Sequence, residues 1–358
     1  MYPKIIFHIT FYALLFTALA ACTPPTTPEP VEVAPAAPQK LTVMTHDSFA
    51  ISEDVLASFQ QEYNIEVQFL EAGDTGSAVN KAALAKGKPL ADVFYGVDNT
   101  FLSRALDEGI FEAYQSPLLA EIPDDFELDP QHRALPVDYG DVCLNYEVAY
   151  FQERNLAPPK NLEDLLKPEY AGLLVVENPA TSSPGLAFLF ATIGYFGEAG
   201  YLDFWQGLVE NDVEVVNDWE TAYYTEFSQW GGARPIVVSY GSSPPFEMIF
   251  AEQPLDEPPT AAVTGAGSCF RQIEFVGILA GAPNRALAEK WVDYMLSPTF
   301  QEDIPLQMYV FPVNPNAELD ETFEKYLAIP EKPAFLTPAD IAARREQWIK
   351  DWTETVLR

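Results

Sequence analysis

The first third of the chain alternates short apolar runs with amphipathic stretches. LTVMT (41 to 45) reads as a strand, and Ser52 is placed to cap a helix that carries Val55, Leu56, Phe59 and Tyr63 at helical spacing. IEVQFLEA (65 to 72) predicts a second strand, Gly76 to Lys86 a helix, ADVFYGV (91 to 97) a third strand, and FLSRALDEG a helix closed by Gly109. This βαβαβα order implies a parallel sheet with right-handed crossovers.

The middle of the chain repeats the pattern. GLLVVENP (172 to 179), VEVV (213 to 216) and PIVVSYG (235 to 241) read as strands, the first and last of buried type, with helical patterns between them. The stretch from Trp219 to Trp230 predicts a helix with Trp219, Tyr223, Phe227 and Trp230 on one face. Beyond Cys269 come the strand FRQIEFVGILAG, the helix NRALAEKWVDYMLS and a helical tail from Pro338. Crossings near 138 to 146 and 265 to 275 would join two α/β lobes. The expected division is 40–141 and 269–358 for the first lobe, with the C-terminal helix, and 142–268 for the second.

The N-terminus has a different character. Lys4 precedes an apolar run from Ile5 to Ala21 that ends in Leu19-Ala20-Ala21-Cys22, the pattern of a signal peptide (1–21) cut before a cysteine that receives lipid. Residues 22–39 are rich in proline, so they should form an extended tether of roughly 50 Å. Folded residues would then stand off a membrane surface. With Cys22 assigned to lipid, Cys143 and Cys269 remain, either as two buried thiols or as one disulfide; the bond is the reading adopted, and it would staple the two crossings.

Charge narrows the partners. Asp and Glu outnumber Lys and Arg by 53 to 20, a net charge of −33, which disfavours nucleic acid and anionic membranes and suits cationic ligands or simple solubility. Aromatic residues make up 13% of the chain, enough for some to line a pocket. Parallel sheets bind ligands beyond the carboxyl ends of their strands, where Asp47, Asp74 and Asp98 follow the first three strands. In the second lobe, strands lead into Thr181-Ser182-Ser183-Pro184-Gly185 and Gly241-Ser242-Ser243-Pro244-Pro245. Such helix starts can hold a phosphate or carboxylate, or can be ordinary serine capping.

Enzyme chemistry finds little footing. His8 leaves with the signal peptide, only His46 and His132 remain, no Gly-x-Ser-x-Gly elbow occurs and no Cys/His spacing suggests zinc. Paired carboxylates of the glycosidase kind stay open. No catalytic residue, metal or cofactor is expected.

The segments THDSFA (45 to 50), ADVFYGVDN (91 to 99), PVDYGDVCLNYE (136 to 147), ENPATSSPG (177 to 185), NDWETAY (217 to 223), VSYGSSP (238 to 244), LSPTFQEDIP (296 to 305) and TPADIAARREQWIKDW (337 to 352) resemble, in this order, the thiamine-binding proteins of ATP-driven (ABC) uptake systems. The resemblance implies an α/β type II periplasmic-binding-protein fold whose two lobes close on one ligand, thiamine or its phosphates, in a monomeric receptor that hands the ligand to a permease. It carries ligand contact onto Asp74, Thr75, Ser182, Ser183, Trp219, Tyr240, Gly241, Ser242 and Ser243, with Asp98, Tyr223 and Tyr309 lining the cleft. His46 and Tyr309 stand where such proteins often have tyrosine and tryptophan. Within the same fold, a ferric-ion receptor using Tyr223, Tyr224, His46 and several aspartates is the nearest alternative, with polyamine or phosphonate receptors beside it.

Overall fold

The computed structural model describes residues 38–358 apart from Glu331. The expected signal peptide, Cys22 and nearly all of the tether lie outside the described residues. Local chemistry sets the first elements much as their patterns require. β1 (Gln39–Thr45) leads to α1 (Glu53–Tyr63), whose first turn is capped by Ser52 Oγ accepting from the Val55 N–H and whose end is turned by Asn64 in the left-handed region. β2 (Ile65–Glu71), α2 (Thr75–Leu84), β3 (Val93–Asp98) and α3 (Leu102–Glu108) follow, and Gly109 at φ 63° closes α3.

After the short β4 (Phe111–Glu112), the 13-residue β5 (Leu135–Glu147) carries the chain into the second lobe. There α4 (Val148–Glu153), β6 (Leu174–Glu177), α5 (Ser183–Phe196), α6 (Tyr201–Glu210), β7 (Glu214–Val216), β8 (Ile236–Tyr240), α7 (Ser243–Ile249) and β9 (Thr260–Val263) follow in turn. β10 (Phe270–Leu279) returns to the first lobe, and α8 (Arg285–Leu296), α9 (Pro298–Met308), β11 (Phe311–Pro312), α10 (Glu321–Tyr326) and α11 (Pro338–Val356) complete the chain. Among the described residues no helix is long and apolar enough to cross a membrane.

The sheet runs β2-β1-β3-β10-β5-β8-β6-β7. Its two flanks are parallel: β1 pairs with β2 and β3, and β6 pairs with β7 and β8. Between them, β5 and β10 run antiparallel with Phe270 opposite Val142 and Glu274 opposite Asp138. These are the expected crossings. The disulfide joins Cys143 on β5 to Cys269 at the foot of β10, 126 positions apart in sequence, so the staple spans both.

The core splits by sheet face. Leu41 and Val43 of β1 pack with Phe59 and Trp291 of α1 and α8, while Met44 turns to Ala78 and Val79 of α2. Every residue of α5 from Ser183 to Ile193 is buried, because α6 and α11 cover the side the sheet leaves open. The C-terminal helix departs from the expected first-lobe assignment. Trp348 and Trp352 of α11 meet Phe190 and Trp205 of α5 and α6 edge-on, at 5.6 and 5.4 Å, so its apolar stripe seals the second lobe. Arg345 touches the first lobe over the Phe101 ring, at 4.1 Å.

The predicted Trp219 helix also differs. A single π-helical turn, Thr221–Glu226, ends where the Phe227 N–H bonds the Ala222 carbonyl, and the chain then turns extended to bridge Arg234. The wider winding breaks the expected stripe. Trp219, Tyr223 and Phe227 are buried together, whereas Trp230 is 48% exposed.

Candidate functional site

A cavity of about 240 Å³ opens where the carboxyl ends of both parallel flanks converge, the position at which open α/β sheets take ligands. Its walls come from the segment after β1 (His46 to Ala50), the α2 start (Asp74, Thr75), the α5 start (Ser183, Pro184), the π turn (Trp219, Glu220, Tyr224), the end of β8 (Tyr240), Glu274 of β10 and the α9 terminus (Gln307 to Val310). Four carboxyl side chains and five large aromatic rings share this lining. No lysine or arginine does.

The aromatic wall is rigid. The Trp219 ring stacks on Tyr223 at 5.0 Å and 17°, meets Tyr224 edge-on at 5.5 Å and lies 6.3 Å from both Tyr240 and Tyr309. Its indole N–H donates to Ser239 Oγ at 3.0 Å, which fixes the ring's orientation. Tyr240 donates to Gln272 Oε1 at 3.1 Å. These anchored π faces suit a flat or cationic ligand.

Asp74 joins the lobes. From the first-lobe α2 cap, its Oδ1 accepts from the Thr75 N–H at 2.6 Å and the Ser183 N–H at 3.1 Å, and its Oδ2 accepts from the Trp219 N–H at 3.2 Å. The Ser182 hydroxyl is a further partner. Alongside, the Gly76 N–H donates to the Thr181 carbonyl at 3.0 Å, and a Cβ at Gly76 would come within 2.8 Å of the Ala180 and Thr181 carbonyls. Only glycine permits this approach. The carboxylate thus sits on the α5 N-terminus, where the sequence suggested a ligand anion.

Burial governs the acids. Desolvation pushes Asp74 up to about 7, although Ser182, Ser183 and Thr75 bond it and pull the other way. His46 and Glu274 lie 3.7 Å apart with little exposure, yet burial drives His46 down to about 4 and Glu274 well above the usual carboxylate range. Their contact is therefore between neutral groups rather than an ion pair. His46 reaches this place because Gly96, at φ +104°, leaves room for its ring. Nearer the mouth, burial and the charges of Asp218 and Glu71 raise Asp47, while burial followed by Asp47 and Asp218 raises Glu220. Such a set is short of positive charge.

Of the residues expected at the site, Asp74, Thr75, Ser183, Trp219, Tyr240 and Tyr309 line the cavity together. The others stand behind it. Asp98 is fully buried, bonded to Thr100 Oγ1 and to Gln272 Nε2, and reaches the lining through Gln272, which also donates to Ser183 Oγ at 2.7 Å. Ser182 faces inward as the α5 cap. Tyr223 stacks beneath Trp219 and turns its hydroxyl to Glu247 Oε1 at 2.6 Å. Gly241 and Ser242 border a separate small cavity with Tyr139, Asp141 and Arg271, and Ser243 Oγ pairs with Ser239 Oγ at 3.1 Å.

Several lining residues escaped sequence reasoning: Phe49, Glu220, Glu274, Gln307 and Met308. Glu274 had a signal, as a lone acid inside the apolar run of β10. The ferric alternative loses its paired tyrosines, since Tyr223 points away and Tyr224 donates to Tyr309. Among the described residues no group of three or more His, Cys, Asp or Glu side chains could hold a metal ion. A larger cavity, about 580 Å³, lies between α3, the β10 start and residues 334–342, away from the strand ends and lined largely by aliphatic groups.

Known proteins share this architecture. The chain is 30% identical over 347 residues to the thiamine-binding periplasmic protein of Escherichia coli K12, covering 95% of this chain and 98% of that one. It is also 30% identical to the thiamine-binding periplasmic protein of Brucella abortus, over 92% and 96% of the two chains. The solved structure of a periplasmic thiamin binding protein superposes with a TM-score of 0.79 at 27% identity, over 90% of this chain and 97% of that one. Iron-bound HitA from Pseudomonas aeruginosa, at a TM-score of 0.70 and 20% identity, shares the fold. With a two-lobed type II fold and a match to the family model over residues 88–332, the chain belongs to the bacterial extracellular solute-binding proteins.

Proposed function

We propose that this protein is a lipid-anchored extracytoplasmic receptor that binds thiamine and delivers it to an ATP-driven permease. The observation that carries the reading is the pairing, in one inter-lobe pocket, of the Trp219, Tyr224, Tyr240 and Tyr309 rings with Asp47, Asp74, Glu220 and Glu274, with no lysine or arginine in the lining. Thiamine combines a thiazolium whose charge cannot be titrated with a flat aminopyrimidine. Each ring gains about 0.5–2 kcal/mol from stacking or cation–π contact, and the Asp47, Asp74 and Glu220 carboxylates balance the charge. The names of the relatives support the same ligand.

Binding needs no cofactor, metal or bond-making step. Lobe closure is the signal: ligand between the lobes favours the arrangement clasped by Asp74, and a permease reads the paired lobe surfaces. Cys22 carries the lipid, residues 22–39 supply the reach, and the receptor acts as a monomer. Titration calorimetry with thiamine should show saturable one-to-one heat. No heat and no thermal shift at millimolar thiamine would overturn the reading. Replacing Cys22 by Ser should release the protein from membranes without altering affinity.

A further inference from the structure

Trp230 lies outside the cavity lining yet is continuous with its aromatic wall. Its ring stands 5.8 Å from Tyr224 and 6.4 Å from Tyr223, and Tyr224 lines the cavity and meets Trp219 edge-on. Exposure rises along this run, from 7% at Trp219 through 40% at Tyr224 to 48% at Trp230. We infer that Trp230 is an outer landing site for an aromatic cation, which it holds while the ligand passes Tyr224 and releases once the ligand is seated. The inference rests on the thiamine reading and adds a route to the site.

The indole is held out by its backbone rather than left loose. Ser228–Trp230 form a single 3₁₀ turn that Gly231 closes at φ 97°. The Gly232 N–H donates to the Phe227 carbonyl at 3.1 Å, the Ser228 N–H to the Arg234 carbonyl at 2.9 Å, and the Arg234 N–H to the Glu226 carbonyl at 2.9 Å. A Cβ at Gly232 would come within 2.1 Å of the Glu226 carbonyl, so the turn has no slack.

The other flank matches. Tyr224 donates to the Tyr309 hydroxyl at 3.3 Å, and exposed Phe250 lies 6.4 Å from the Tyr309 ring. The two tyrosines that meet across the cavity are thus bordered by exposed rings on both sides. Single exposed rings are ordinary, but a graded run of them leading out of an aromatic pocket offers a flat ligand a π face at each step. Charge favours the same approach. Glu220 lines the cavity, with Asp47, Asp218 and Glu71 near enough to act on its charge, and such a field speeds the arrival of a cation.

The test is stopped-flow fluorescence of the mature protein with thiamine, comparing wild type with Trp230→Leu and Trp230→Phe. Affinity depends only on the free and seated states, and Trp230 touches the ligand in neither. Trp230→Leu should therefore slow association and dissociation alike, by about two- to fivefold, with Kd held within about twofold. Trp230→Phe keeps a π face and should retain more of both rates. An unchanged association rate in Trp230→Leu would overturn this inference alone, and would leave the exposed ring to another partner such as the permease. A Kd raised beyond twofold would also overturn it, by placing Trp230 in the seated site, as would Trp230→Phe proving as slow as Trp230→Leu. No binding by the wild type in calorimetry would overturn the thiamine reading and this inference with it.

Discussion

Two helix starts in the second lobe are nearly the same sentence in sequence, Thr-Ser-Ser-Pro-Gly at 181 and Gly-Ser-Ser-Pro-Pro at 241, each just after a strand. They do different work. The first looks across the cleft and gives its Ser183 N–H to Asp74 of the other lobe, while the Ser183 side chain lines the pocket. The second is bolted to the crossing strands: the Gly241 N–H donates to the Asp141 carbonyl at 2.8 Å, Asn145 Nδ2 to the Tyr240 carbonyl at 3.0 Å, and the Ser242 hydroxyl to the Tyr309 carbonyl. Cys143, half of the disulfide, lies directly opposite Ser239. A helix start becomes a binding element only when another lobe faces it. Otherwise the same residues make a hinge mount.

If the second start is structural, loosening its mount should cost stability and spare the ligand. Replacing Cys143 and Cys269 together by Ser should lower the unfolding free energy by about 4 kcal/mol in chemical denaturation, since the bond closes a long loop. Thiamine affinity should change less than about threefold. A large affinity loss with little change in stability would reverse the assignment.

The facing wall should behave in the opposite way. Trp219→Ala is expected to weaken thiamine binding by about 30-fold, as one stacking and cation–π surface disappears, with secondary structure checked by circular dichroism. Unchanged affinity would remove the aromatic wall from the account.

Titration separates the two starts again. Burial holds Asp74 at about 7 beside the first, and Glu247 at about 7 on α7 beyond the second. Asp138, also buried, sits at about 7. These values exceed those of the unfolded chain, so the stabilising proton is present at low pH and is lost as pH rises through 7. The melting temperature without ligand should therefore rise by roughly 3 °C as pH falls from 8.5 to 6.5. Thiamine acts in reverse: its cation favours ionised Asp74, so binding releases protons and affinity should fall several-fold between pH 8 and 6. Glu247→Gln should keep that affinity profile, and Asp74→Asn should flatten it. The smallest effect belongs to Ser242→Ala, which should cost about 1 kcal/mol of stability and leave thiamine affinity unmoved.

The sequence made the fold legible where local chemistry decides alone. Ser52 and Gly109 mark helix ends that the structure keeps, and the long β5 and β10 crossings were visible as strand-like runs around the two cysteines. Asp74 and Trp219 were legible as cavity-lining residues from the rim rule, Ser183 from its helix start after a strand, and Tyr240 from the family resemblance. What escaped depends on through-space neighbours. No periodicity announces that Gly241 and Ser242 open onto a separate small cavity, or that Asp98 turns inward to hold Gln272. Nor could helical spacing foresee the π turn, whose extra residue sends Trp230 to the surface. The C-terminal helix was placed by chain order, whereas its tryptophans follow the apolar flank of α5 and α6.

The most direct test of the central claim is a crystal structure of the mature protein with thiamine. The account predicts both rings of the ligand in the inter-lobe cavity, within contact of Trp219 and Tyr240 and with the thiazolium beside Asp74, Asp47 or Glu220. Thiamine lodged instead in the aliphatic cavity near Phe335, or remote from the Trp219 ring, would contradict it.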